Sequence, residues 1–73
     1  RFFIRAHKTY NLFSEIDNAI RKDGGKLLEG KFEIEHDHLE GYVIISHSNP
    51  GQLKRAEKNI KKIPSIIEMQ RIE

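Results

Sequence analysis

The segment Ser65-Ile66-Ile67-Glu68-Met69-Gln70-Arg71-Ile72-Glu73 alternates branched apolar with polar residues and is reached through Lys61-Lys62-Ile63-Pro64. That pattern is a half-buried strand following a helix that proline ends, because proline disfavours helical backbone at the residue before it. A strand in last place needs a neighbour, and the chain opens on another strand followed by a helix. Bringing both into one sheet calls for two crossovers, and right-handed, unknotted connections leave few ways to draw them.

The 73 residues have room for one core, since a chain near this size buries only about 60–65% of its unfolded surface. Residues 1–73 are therefore read as a single domain, and Arg1 in first place suggests a module of a longer chain. Cysteine is absent, which excludes disulfides, thiolate metal sites and cysteine nucleophiles and suits the cytoplasm. No signal-like or long apolar run points to a membrane. The 13 basic and 11 acidic residues are interspersed, so the net charge of +2 is weak evidence for a polyanionic partner.

Phe2 to Ala6 reads as a strand with Phe2, Ile4 and Ala6 inward and Phe3, Arg5 and His7 outward. After the turn His7-Lys8-Thr9-Tyr10-Asn11, capped by Asn11 or Thr9, a helix is expected from about Leu12 to Asp23. Leu12, Ile16, Ala19 and Ile20, with Phe13 beside them, make its apolar stripe, and Gly24-Gly25 stops it. From Lys26 to Glu35, Leu28, Gly30, Phe32 and Ile34 alternate with Glu29, Lys31, Glu33 and Glu35, the pattern of a charged edge strand. A hairpin at His36 to Gly41 leads to Tyr42-Val43-Ile44-Ile45-Ser46, apolar enough for the middle of a sheet. Ser48 or Asn49 caps a second helix, Pro50 opens it, and Leu53, Ala56, Ile60 and Ile63 are its buried stripe. The order βαββαβ gives an α+β, ferredoxin-like sandwich: an antiparallel sheet of strand order 4-1-3-2 with both helices on one face. That fold carries no function by itself.

The runs Leu12-Phe13-Ser14-Glu15-Ile16, Ala19-Ile20, Gly24-Gly25, Ile60-Lys61-Lys62-Ile63-Pro64-Ser65-Ile66-Ile67 and Gln70-Arg71-Ile72 together resemble an ACT domain over nearly the whole chain. The ending is most similar to the ACT module that closes bifunctional (p)ppGpp synthetase/hydrolases. The resemblance implies a non-catalytic, cytoplasmic regulatory domain in (p)ppGpp metabolism and the stringent response, controlling an attached enzyme or transporter. Its implied partners are a small effector, an amino acid or an anion, or another ACT module, as in a homodimer. The family's loop before the first helix carries an acid and a glycine. Here Lys8 stands in place of the acid, so the contact to an amino group is lost, while Asn11 replaces the glycine and tolerates the left-handed backbone that would keep the turn.

The ligand site is expected where strands one and three, taken as parallel neighbours, end together. His7, Lys8, Thr9, Tyr10 and Asn11 would meet His47, Ser48 and Asn49 there, and the N-termini of both helices would favour an anionic group. No third ligand accompanies His7 and His47, so no metal is expected, and no cofactor either. His36 and His38 are placed at the far end, on a hairpin tip that is polar in any case. Lys54, Lys58 and Lys61, flanked by Arg55 and Lys62, read as a solvated helix face. Leu27-Leu28-Glu29-Gly30 and Glu40-Gly41-Tyr42 also resemble a sensor domain that follows some methionine-importer ATPases, another regulatory module.

The rival class is an RNA-recognition module, which shares the element order and stacks bases on aromatics of strands one and three. Phe2-Phe3-Ile4 and Gly41-Tyr42-Val43-Ile44-Ile45 match it in part. Glu40, Val43 and Ile44 depart from its basic, small and aromatic positions, and the acidic strand would repel phosphates, so nucleic acid is not the expected partner. No catalytic constellation can be assembled, so no enzyme is expected.

Overall fold

The computed structural model describes residues 1–72. Glu73, counted above in the last strand, lies outside the described residues. The elements are β1 (Phe2–His7), α1 (Leu12–Arg21), β2 (Lys26–Glu35), β3 (His38–Ser46), α2 (Pro50–Lys61) and β4 (Ile66–Arg71). The sheet order is β2-β3-β1-β4 with every neighbouring pair antiparallel, which is the expected 4-1-3-2 sheet counted from its other edge. Among the described residues no helix is long and apolar enough to cross a membrane.

Burial follows the two periodicities. Phe2, Ile4 and Ala6 of β1, Val43 of β3 and Met69 of β4 form one cluster with Leu12, Ile16, Ala19 and Ile20 of α1 and Leu53, Ala56 and Ile60 of α2. Both helices therefore lie on one face, α1 toward β2 and α2 toward β4. Each fully buried side chain such as Ile16 or Ile60 contributes on the order of 1.5–3 kcal/mol by leaving water. Ile63 packs against this core from beyond the end of α2. Gln52 joins the buried stripe instead of facing solvent.

Three expectations are corrected. First, β1 and β3 are antiparallel, pairing Phe2 with Val43 and His7 with His38. The β1-α1-β2 crossover makes β2 parallel to β1, and a hairpin makes β3 antiparallel to β2, so the strand between them opposes both. Second, β2 does not alternate cleanly. Leu27 pairs with Ile45 and Glu29 with Ile44, so Leu28 is the extra residue of a bulge. Leu27 takes the inward place, packed against the core, and Leu28 is left exposed. Third, α1 stops at Arg21, short of Asp23. Gly24 turns the chain at φ 84, and the N–H of Gly25 donates to the carbonyl of Ile20 at 3.2 Å.

Candidate functional site

Antiparallel pairing separates the residues predicted to form one crevice. His7 and the loop Lys8 to Asn11 lie at the end of the sheet that also holds the β2–β3 hairpin, since His7 pairs with His38 and Glu35 pairs with His38. His47, Ser48 and Asn49 follow Ser46, which pairs with Lys26 at the opposite end. The N-termini of α1 and α2 therefore sit at opposite ends as well, and His7 and His47 cannot share a ligand. The hairpin histidines, placed far from His7 by the sequence reading, are its neighbours. Among the described residues no group of three or more His, Cys, Asp or Glu could hold a metal ion.

At the first end a hollow of about 550 Å³ is lined by Lys8, Thr9, Tyr10, Asn11, Ile34 and Leu39. Its polar half is the loop into α1. The Thr9 hydroxyl accepts from the N–H of Asn11 at 3.3 Å, tightening the turn. Asn11 has φ −109, not the left-handed conformation expected of it, and its side chain makes no capping bond to α1. Its amide therefore remains available to a ligand beside the Lys8 amine. The apolar half is Ile34 and Leu39, paired across β2 and β3 on the face that bears the helices. Ile34 is 65% exposed. These two residues were missed as site residues. Their signal was present in the alternation, which puts both on the inner face next to a hairpin tip.

At the second end the predicted residues are occupied by structure. The Asn49 side chain accepts from the N–H of Gln52 at 2.8 Å and caps α2. The Gln52 side-chain oxygen accepts from the N–H of Ser48 at 2.6 Å, and its amide donates to the carbonyl of Asp23 at 2.6 Å. This buried glutamine ties the end of α1 to the start of α2.

The helix-free face of the sheet is arranged in cross-strand rows. One row reads Gln70, Phe3, Tyr42 and Lys31 from β4 to β2, and the next reads Glu68, Arg5, Glu40 and Glu33. Arg5 bonds Glu40 through Nε at 3.1 Å and Glu68 through a guanidinium nitrogen at 3.0 Å. His38 Nε2 lies 2.9 Å from the same Glu40 oxygen. The bond to Glu40 holds the His38 imidazole above its ordinary range, and His38, followed by Arg5, holds the Glu40 carboxyl below its own. The Tyr42 hydroxyl donates to Glu29 at 2.9 Å, which raises the phenol's pKa, and the Arg1 guanidinium lies 4.7 Å from the centre of the Tyr42 ring.

On the helical layer, α2 and its C-terminal end carry a cationic surface. Lys54, Arg55, Lys58, Lys61 and Lys62 are exposed. Arg55 reaches Asp23 and Lys61 reaches Glu57, each at 3.4 Å.

No protein-family model matches the sequence, and no curated protein matches it. Among solved structures, the chain is similar to the crystal structure of the ACT domain from the GTP pyrophosphokinase of Chlorobium tepidum, with a TM-score of 0.76 over 97% of this chain and 92% of that one. The sequences are 13% identical, so the likeness is one of fold. The chain has the ACT, ferredoxin-like fold that its sequence resemblance implied.

Proposed function

We propose that this chain is a non-catalytic regulatory module of the ACT kind, which takes a small effector into the hollow beneath the β1–α1 loop and controls an attached enzyme or transporter. The observation that carries this reading is the hollow itself. It is built from four of the residues singled out in the sequence, at the N-terminus of α1, in a fold shared with an ACT domain of a GTP pyrophosphokinase. That likeness also supports a setting in (p)ppGpp metabolism and the stringent response, and hence the cytoplasm.

The hollow's chemistry defines the effector. The Lys8 amine, the Asn11 amide and the unsatisfied N–H groups of the first turn of α1 suit a carboxylate or phosphate. Ile34 and Leu39 suit a small apolar body joined to it. With Lys8 in place of an acid, an amino group gains no ionic partner there, so an anion is favoured over an amino acid held at both ends. Pairing with a second ACT module, including another copy of this chain, is the accompanying proposal, since β2 and β4 both leave an unpaired edge.

NMR titration with amino acids, simple carboxylates and nucleotides tests the effector. Shifts centred on Lys8 to Asn11, Ile34 and Leu39 are expected. Shifts confined to His47 to Asn49, or none at millimolar ligand, would remove the reading. Sedimentation at rising concentration tests pairing, and a strict monomer argues against it.

A second reading, an RNA-recognition module, draws on Phe3 standing directly opposite Tyr42 on the helix-free face. The carboxylates of Glu29, Glu33 and Glu40 beside that pair repel a phosphate backbone, and this reading ranks below the first.

A further inference from the structure

We infer that the groove between α1 and α2, on the outer side of the helical layer, is a docking site for an acidic helix of a partner protein. Residues 12–23 and 50–62, the two helices with their C-terminal turns, hold seven of the chain's 13 cationic side chains and only four of its 11 carboxylates. The rest of the chain holds six cations and seven carboxylates, so the molecule's excess of positive charge sits on this layer. The four carboxylates are already engaged. Asp17 bonds Arg21 at 3.0 Å, Asp23 lies 3.4 Å from Arg55 and Glu57 3.4 Å from Lys61, while Glu15 accepts from the Ser65 hydroxyl at 3.3 Å. Lys22, Lys54, Lys58 and Lys62 are exposed and make no ion pair among the described residues. The negative end of the α2 dipole, roughly half an elementary charge, is too small to satisfy them.

Two of these lysines flank a groove of about 400 Å³. Lys22 lines it from α1 with Asn18 and Ala19, Lys62 lines it from the end of α2 with Asn59, and Ile63 and Pro64 add apolar surface. The Asn59 amide donates to the Ala19 carbonyl at 3.3 Å and to the Asp23 carboxylate at 2.8 Å, which ties the two walls together and fixes the groove's shape before anything binds. Between Glu15 and Lys22 the α1 wall advances about 10 Å at the rise of an α-helix, the length of two turns of a helix laid in it. Lys54, Lys58 and Lys62 recur every four residues and so form one row along α2, with a rise of about 6 Å between neighbours. Carboxylates every four residues on an incoming helix have the same spacing and meet this row, while the small apolar residues beside them enter the groove over Ala19.

Charge and surface together name the occupant. A basic segment is repelled by the four unpaired lysines. A nucleic acid has the right charge, but neither the groove nor the lysine row carries an aromatic side chain for a base to stack on, and a phosphate backbone has no apolar group to place over Ala19, Ile63 and Pro64. An acidic amphipathic helix meets both requirements. The groove shares no lining residue with the hollow beneath the β1–α1 loop, so the fate of that proposal leaves this one standing.

The test is an NMR and fluorescence-anisotropy titration of the chain with a helical peptide bearing glutamate every four residues beside alanine and leucine, its lysine counterpart and an oligouridylate, at moderate salt. The acidic peptide alone should bind, shifting Asn18, Lys22, Lys58 and Lys62. Lys22→Glu should weaken it by about tenfold or more, as charge reversal at one contact does. Lys62→Gln, which removes a charge without placing an acid at the helix end, should give a smaller loss of the same sign. Asn18→Phe fills the groove from an exposed position at no change in charge and should weaken binding too, whereas Lys31→Glu on the other face of the sheet should not. Binding insensitive to Lys22→Glu or to Asn18→Phe, shifts confined to Lys8 to Asn11, preferential binding of the oligouridylate, or occupation of the groove by a second copy would each overturn the inference.

Discussion

His38 Nε2 sits 2.9 Å from the Glu40 carboxylate, and its Nδ1 is 3.6 Å from Asp37 at the hairpin tip. The imidazole thus joins the turn to the row of charges behind it. Its pKa is raised above the ordinary 6.5, chiefly by the bond to Glu40, and that of Glu40 is lowered below 4.5, chiefly by the bond to His38. The stabilisation from His38 is complete below its unfolded pKa of about 6.5 and is lost as pH rises through the higher folded value. The stabilisation from Glu40 is present above its unfolded value and is lost as pH falls through the lowered one. An imidazole NMR titration should find His38 protonated above the ordinary range, and Glu40→Gln should bring it down. An unchanged titration in that variant would contradict the assignment.

Gln52→Ala should destabilise the fold more than a surface substitution does. It strips partners from the Asp23 carbonyl and the Ser48 N–H at a site where Gln52 is only 9% exposed. A loss of about 1–3 kcal/mol is expected in urea unfolding. Gln52→Glu, which keeps the acceptor for Ser48 but loses the donor to Asp23, should cost a comparable amount.

Gly41→Ala should be among the most damaging single changes outside the core. A Cβ at that position would fall on the backbone of Lys31 and Phe32 in the neighbouring strand, where no rotamer change can relieve it. The expected cost is at the upper end of the ~1–3 kcal/mol of overpacking. A native-like melting point in this variant would show that β2 and β3 can part locally.

His36→Gly should raise stability. His36 is the non-glycine residue with positive φ, 57, at the hairpin turn. Relief of the left-handed penalty of about 1–2 kcal/mol is offset in part by the extra freedom of glycine when unfolded. A net gain below 1 kcal/mol, roughly, is expected, and circular dichroism melts would resolve its sign.

Lys8→Glu should reverse the ligand preference of the hollow. Anions should bind more weakly and amino compounds more tightly, with the fold unchanged because Lys8 is exposed. Equal affinities before and after the change would remove Lys8 from the site.

The element order, the sheet order and most of the core were legible because Phe2, Ile4, Ile16, Ile20 and Ile60 repeat with the periods of strand and helix. The bulge at Leu28 was not legible. An extra residue within an otherwise alternating stretch looks like continued alternation, and only pairing with Ile44 and Ile45 shows the phase change. Lys8 to Asn11 do line one hollow, but the expectation that His47 to Asn49 would meet them there fails, because those residues lie at the other end of the sheet. That error was topological, since the hairpin at His36 and Asp37 already dictates which way β3 runs. The burial of Gln52 lay beyond composition, because its reason is a pair of backbone groups in two distant segments.

The bulge at Leu28 also sets a measure on the outer margin of the sheet. A ladder of backbone bonds works like a rack with evenly pitched teeth, and one inserted residue breaks the pitch. A chain laid along β2 would mesh from Glu29 to Glu35 and fall out of step at Leu28, its side chains beyond that point arriving on the wrong side. The longest stretch of unbroken pitch along this margin is therefore the seven residues from Glu29 to Glu35.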